Sequence, residues 1–139
     1  MGYYSHVVIA HVLSDAHMAE VFAAYTILPA TQEYNLAAEW KFDRSREGVT
    51  VVWYEAQSVK WIDGYRDVAG LLALGGLVDD FAEERHFQYA SVLTRVGEDT
   101  ADVEEDYNDN DEIGRFTEIL YDCVSITRTI EVGLSEGDT

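Results

Sequence analysis

Between Tyr3 and Val96 the apolar pattern switches repeatedly between a strand-like and a helix-like period, which restricts the chain to a mixed architecture. Tyr3 to Leu13 is rich in β-branched and aromatic residues, with Val7, Val8 and Ile9 at its centre, and reads as a buried strand. Ser14 and Asp15 then supply a helix N-cap and an acidic first turn. Met18, Val21, Phe22, Tyr25 and Leu28 follow at helical spacing, and Pro29 marks the expected stop. Tyr34 to Phe42 and Val49 to Ala56 read as two strands joined by a polar turn containing Gly48. A second helix is expected from about Asp67, with Val68, Leu71, Leu72, Gly75, Val78 and Ala82 on its inward face. Phe87 to Val96 is the next strand.

A carboxylate-rich stretch from Glu98 to Glu112 comes next, then a short mixed segment of helical character. Val124, Ile126, Ile130 and Val132 then alternate with Ser125, Thr127, Thr129 and Glu131, the pattern of a last strand. Arg128 falls on the apolar face of that strand, so it is expected at a rim or against a carboxylate. The order predicts an α+β fold, a ferredoxin-like (split βαβ) two-layer sandwich with two helices on one face of an antiparallel sheet. The acids form an insertion before the last strand. A chain of 139 residues that is 47% hydrophobic suits one folded domain over 1–132, with 133–139 as a fraying tail.

Charge is unevenly distributed. Residues 1–96 carry 13 acids and seven bases, whereas residues 97–139 carry 14 acids and two bases, so two-thirds of the formal charge of −18 lies in the last third. Such acidity excludes direct binding to nucleic-acid phosphates or anionic lipid surfaces, because both repel it. The single cysteine, Cys123, rules out an internal disulfide and fits a reducing cytoplasm. The N-terminus lacks the basic start and apolar run of a signal peptide, and His6 stands where a myristoylation pattern wants Ser or Thr. The apolar run Val68 to Val78 is too short to span a bilayer. The expected location is the cytoplasm.

Within 98–112 the acids are Glu98, Asp99, Asp102, Glu104, Glu105, Asp106, Asp109, Asp111 and Glu112, with no Lys or Arg among them. A block of this kind stays solvated, binds cations or faces a basic protein. Solubility alone, or adaptation to high salt (only Lys41 and Lys60 are lysines), accounts for acidity in general. Salt adaptation, however, predicts acids spread over the whole surface. Asp106, Asn108 and Asn110 have the one, three and five spacing of a calcium loop, but Asp111 replaces the required Gly and Thr117 the bidentate Glu. No metal centre or cofactor is expected. A dense row of carboxylates also resembles a strand of phosphates and can occupy a Lys/Arg groove, with Tyr107 as an exposed aromatic anchor.

Catalytic signatures are weak, and an enzyme is not expected. His6 and His11 project to opposite faces of the first strand, His17 and Glu20 lie one helical turn apart, and His86 is isolated. Cys123 borders an apolar strand, the setting of a core thiol. Trp53, Tyr54 and Trp61 read as packing aromatics.

Met-Gly-Tyr-Tyr-Ser at the start, Val59-Lys60-Trp61 leading to Tyr65 and Asp67-Val68, Arg95-Val96-Gly97-Glu98-Asp99 with Asp102-Val103-Glu104, and Thr127-Arg128-Thr129-Ile130-Glu131 carry a resemblance across most of the chain. In these motifs the chain resembles small acidic proteins encoded by bacteriophages and prophages. That family brings no established activity or catalytic residues. The resemblance implies a phage setting and synthesis in a bacterial cytoplasm, with the acids from Glu105 to Glu112 as an elaboration. Small acidic non-enzymatic proteins in that setting often act by blocking host nucleic-acid-binding machinery. With the charge asymmetry, this leads to an expected function. The acids of 98–112 and Tyr107 would occupy the basic, nucleic-acid-binding surface of a host defence or DNA/RNA-handling protein. The alternatives are a ligand- or cation-binding domain, and an oligomer or virion component assembled through sheet edges.

Overall fold

Strand β1 (Ser5–Ser14) is buried along nearly its whole length on both faces, as the central strand of a sheet must be. The computed structural model describes residues 4–62, 65–97, 103–110 and 114–120. In it, β1 pairs antiparallel with β3 (Val49–Val59) on one side and β4 (Ala90–Gly97) on the other. A short β2 (Lys41–Asp43) adds to the outer side of β3, and β5 (Val103–Asp109) to the outer side of β4. The described sheet therefore has five antiparallel strands in the order β2-β3-β1-β4-β5. The fold is α+β.

Helix α1 (Asp15–Thr26) leaves β1 directly. Ser14 is its N-cap in extended conformation, and the hydroxyl accepts from the His17 amide. Helix α3 (Arg66–Arg85) connects β3 to β4. Met18, Val21 and Tyr25 of α1 and Leu71, Leu74 and Val78 of α3 share one core with Val7, Ile9, Leu13, Val52 and Tyr54 of the sheet. Both helices therefore cover the same sheet face. On the opposite face Ala10, Val12, Val49, Val51, Ala90 and Val92 pack with Leu120, Phe116 and Ile119 of the helical run 115–120.

A polar thread fastens the helical layer. The Tyr25 hydroxyl donates to the Gly70 carbonyl at 2.9 Å and accepts from Trp40 Nε1 at 3.1 Å. This joins α1, α3 and the segment before β2. Burial keeps the Tyr25 pKa above its usual value, so the hydroxyl retains its proton to donate.

Several expected elements differ. Pro29 does not end a helix but opens a second one, α2 (Pro29–Glu33), at the position where a missing N–H costs nothing and the fixed φ suits a helix. The strand expected over Tyr34 to Phe42 is instead a left-handed turn at Asn35, a 3-10 turn (Leu36–Glu39) and the three residues of β2. The strand expected from Phe87 begins only at Ala90, because His86 caps α3 in the left-handed region and Phe87 turns to stack on His17 at 4.1 Å. The acidic stretch expected over 98–112 as a loop or insertion contains a strand, β5, over 103–109. The expected strand Val124 to Val132, Cys123 and the tail 133–139 lie outside the described residues.

Candidate functional site

Carboxylates are poor strand formers, and β5 exists because β4 offers it a complete ladder. The register runs from Val96 opposite Val103 to Ala90 opposite Asp109. Of the ten expected site residues, Glu104, Glu105, Asp106, Tyr107 and Asp109 lie on this strand. Glu98, Asp99, Asp102, Asp111 and Glu112 lie outside the described residues.

The period of two divides the acids between the faces. Tyr107 lies opposite Val92 and packs, half-buried, into the core of the second face, so Glu105 and Asp109 share that face. This corrects the expectation of Tyr107 as a freely exposed anchor. Glu104, Asp106 and Asn108 share the helical face with Arg95, Leu93 and Ser91. Arg95, which also donates to Ser5 Oγ at 3.2 Å, holds Glu104 through Nε at 3.1 Å. The only described surface that presents all four carboxylates together is the edge of the sheet, seen end-on.

Neither does the calcium-loop spacing survive folding. Asp106 and Asn108 sit in extended backbone, and Asn110 is committed to the chain, accepting from the Tyr89 amide at 2.8 Å and donating to the Phe87 carbonyl at 2.9 Å. Among the described residues no group of three or more His, Cys, Asp or Glu side chains is placed to hold a metal ion.

A cleft of about 160 Å3 lies between α3 and the β1, β4 and β5 strands on the helical face. Ile9, Leu72 and Leu93 supply its apolar lining, and Asp79, Asp106 and Asn108 its polar lining. Asp79 is fixed by Asn108 Nδ2, at 3.0 and 3.1 Å to its two oxygens, and by the Tyr89 hydroxyl. Burial first, then the Asp79 and Asp109 carboxylates, hold the Tyr89 pKa above its usual value, so the phenol stays a donor to Asp79.

His11, also part of the lining, is 3% exposed. Its Nδ1 bonds Ser91 Oγ at 2.7 Å, and its Nε2 has no hydrogen-bond partner among the described residues. Burial pushes its pKa down to about 4, so the ring is neutral near pH 7. His6 sits on the other face, as the odd spacing from His11 requires, and bonds Glu55 Oε2 through Nε2 at 2.8 Å.

Gly75 and Gly76 belong to α3 and to the cleft wall. A Cβ on Gly75 would stand 3.3 Å from His11 Cε1, whereas one on Gly76 would meet nothing within 4 Å. Gly76→Ala is therefore expected to stabilise the fold by about 1 kcal/mol through helix propensity alone, read as a higher urea midpoint at unchanged slope.

No protein-family model and no curated protein matches the chain. Among the described residues no helix is long and apolar enough to cross a membrane.

Proposed function

We propose that this chain is an acidic protein-binding module that inhibits a nucleic-acid-handling or defence protein by occupying its basic surface. The observation that carries this is the placement of Glu104, Glu105, Asp106 and Asp109 on a strand rather than in a loop. A strand rises about 3.4 Å per residue, so these four charges span roughly 17 Å of edge. One strand of B-DNA presents a phosphate charge per roughly 3.4 Å of axis, about six over the same length, so the four carboxylates reach about two-thirds of that density, with Glu104 partly offset by Arg95. Because β4 already orders the backbone of β5, little further backbone entropy is lost on binding. A cationic groove meeting the sheet edge-on would reach carboxylates of both faces.

The resemblance to acidic phage and prophage proteins supports the same setting, with a host bacterial protein as partner and the host cytoplasm as location. It assigns the chain no reaction and no cofactor. At a finer level of fold, the strand order β2-β3-β1-β4 with helices after β1 and β3 favours a ferredoxin-like core, to which β5 is an added edge.

The test is a tagged pull-down from host lysate at low and moderate salt, beside a variant carrying Glu104→Gln, Glu105→Gln, Asp106→Asn and Asp109→Asn. At about 0.5 kcal/mol per exposed charge, the variant should bind a captured partner roughly thirty-fold more weakly. Wild-type binding should weaken as salt rises, and the variant should lose most of that dependence. Equal affinities with equal salt dependence would overturn the proposal.

A further inference from the structure

Among the described residues six large apolar or aromatic side chains are exposed: Tyr4, Ile27, Tyr34, Ile62, Tyr65 and Val103. None of them belongs to either core or packs among its partly buried neighbours. The path of the chain puts all six at one end of the fold. Tyr4 precedes β1, whose first residue Ser5 lies opposite Val59, the last of β3, and Gly97, the last of β4. Ile62 and Tyr65 follow β3 and lead into α3, and Val103 opens β5 opposite Val96. The helical layer delivers the other two to the same end. Helix α1 runs antiparallel to α3, with His17 stacked on Phe87 at one end and the Tyr25 hydroxyl on the Gly70 carbonyl at the other. Ile27 therefore leaves α1 where α3 begins, and the Tyr34 ring lies 5.9 Å from the Arg66 guanidinium. Exposed apolar side chains scattered singly need no explanation, but gathered on one end they mark an interaction surface.

Charge, area and the rest of the surface indicate what covers it. This end carries both signs: Lys60 Nζ stands 5.8 Å from the Tyr4 ring, Arg66 pairs with Glu33 at 2.6 Å, and Asp67 follows. A surface of one sign, such as β5, repels its own copy. A mixed one can face itself across a two-fold axis, with Lys and Arg of one copy against Glu and Asp of the other. A head-to-tail contact would need a second apolar patch, and the described surface offers none. Five strands about 4.8 Å apart, with the helical layer on them, make an end of roughly 24 by 20 Å. Two copies would bury roughly 1,000 Å2 between them, the lower limit of a specific interface and enough for a weak pair.

We infer that this end is a self-association surface, through which two copies of the chain form a symmetric homodimer. Glu105, Asp106 and Asp109 lie along the sheet edge rather than at this end, so the dimer and the proposed partner surface on β5 can each fail alone.

Sedimentation equilibrium of the full chain at pH 7, from about 5 to about 500 μM protein in 0.15 M and in 1 M sodium chloride, tests it. Wild type should dimerise with a Kd of about 100 μM or tighter in 1 M salt, and several-fold more weakly in 0.15 M, because copies of charge −18 repel until they are screened. Ile27→Ser with Ile62→Ser should weaken the dimer at least about tenfold. Both side chains are exposed, so the urea midpoint of dilute protein should stay close to that of wild type, which separates lost association from lost folding. The variant with Glu104→Gln, Glu105→Gln, Asp106→Asn and Asp109→Asn should dimerise at least as well as wild type. A monomer at about 500 μM in both salts would overturn the inference and leave this end to a partner of another kind. A dimer that the two Ser substitutions leave intact would also overturn it, because the contact would then lie elsewhere. So would a dimer that comes apart as salt rises, because ion pairs rather than apolar contact would then hold it.

Discussion

Lowering the pH from 7 to 4 is expected to cost the fold about 3 kcal/mol through His11 alone. Its pKa falls from 6.5 to about 4 on folding because the buried ring cannot be charged without losing its hydration. Above pH 6.5 the ring is neutral in both states and contributes no slope. Between 6.5 and 4 the unfolded chain takes up a proton that the folded chain refuses, so stability falls as the pH falls. The slope is about 1.4 kcal/mol per pH unit, and it flattens once the folded ring also protonates. For a domain of ordinary stability this is a large share of the total.

The acids act in the opposite direction. With a formal charge of −18, protonating carboxylates relieves self-repulsion as the pH drops, so wild type alone does not isolate the histidine. The groups around the ring are Ser91, Trp40 and, in the shared cleft, Asp79 and Asp106, and those two carboxylates favour the charged ring. The comparison is therefore with His11→Asn, which keeps every carboxylate and His6. Urea midpoints at pH 7, 6, 5 and 4.5 should converge as the pH falls, because wild type loses a contribution that the variant never had. Parallel curves would mean that the ring is not held neutral by burial.

How much of this was legible depends on whether the signal was local. The first strand, both long helices and the strand after Gly48 show their periods in the sequence, and Ser14 caps α1 as its position suggests. The segment from Pro29 to Phe42 was misleading because Pro suits the first turn of a helix as well as a break after one. Of its aromatics only Trp40 is buried, under the helices, while Phe42 is half-buried and Tyr34 exposed, so they do not mark one face of a strand. Strand β5 was hidden because only Val103 and Tyr107 interrupt its polar residues. Pairing with β4, which no local propensity reveals, decides its conformation. The acids were visible as a cluster, but their division between two faces follows from that pairing. The cleft was illegible for a related reason. His11 and Gly75 are each unremarkable in sequence and meet only when α3 crosses β1.

Trp40→Ala is expected to be the most damaging single truncation among the tryptophans, at about 3–5 kcal/mol. Trp40 is 4% exposed and contacts the rings of His11, Tyr25 and Tyr54. Its Nε1 also satisfies the Tyr25 hydroxyl, which in turn bonds the Gly70 carbonyl, so its loss loosens the thread between α1 and α3. Trp53 and Trp61 are only half-buried and pack at the margins of the two cores, and their truncation should cost clearly less. Urea titration followed by far-UV circular dichroism at pH 7 would rank the three. A Trp40→Ala cost no larger than that of Trp61→Ala would contradict the placement of Trp40. The same variant also bears on the histidine. A void beside the ring admits water, so the His11 pKa should move back towards 6.5 and the acid-side loss of stability should shrink. Trp40→Ala and His11→Asn should then cost less together than the sum of their separate effects, because residues in contact share one interaction.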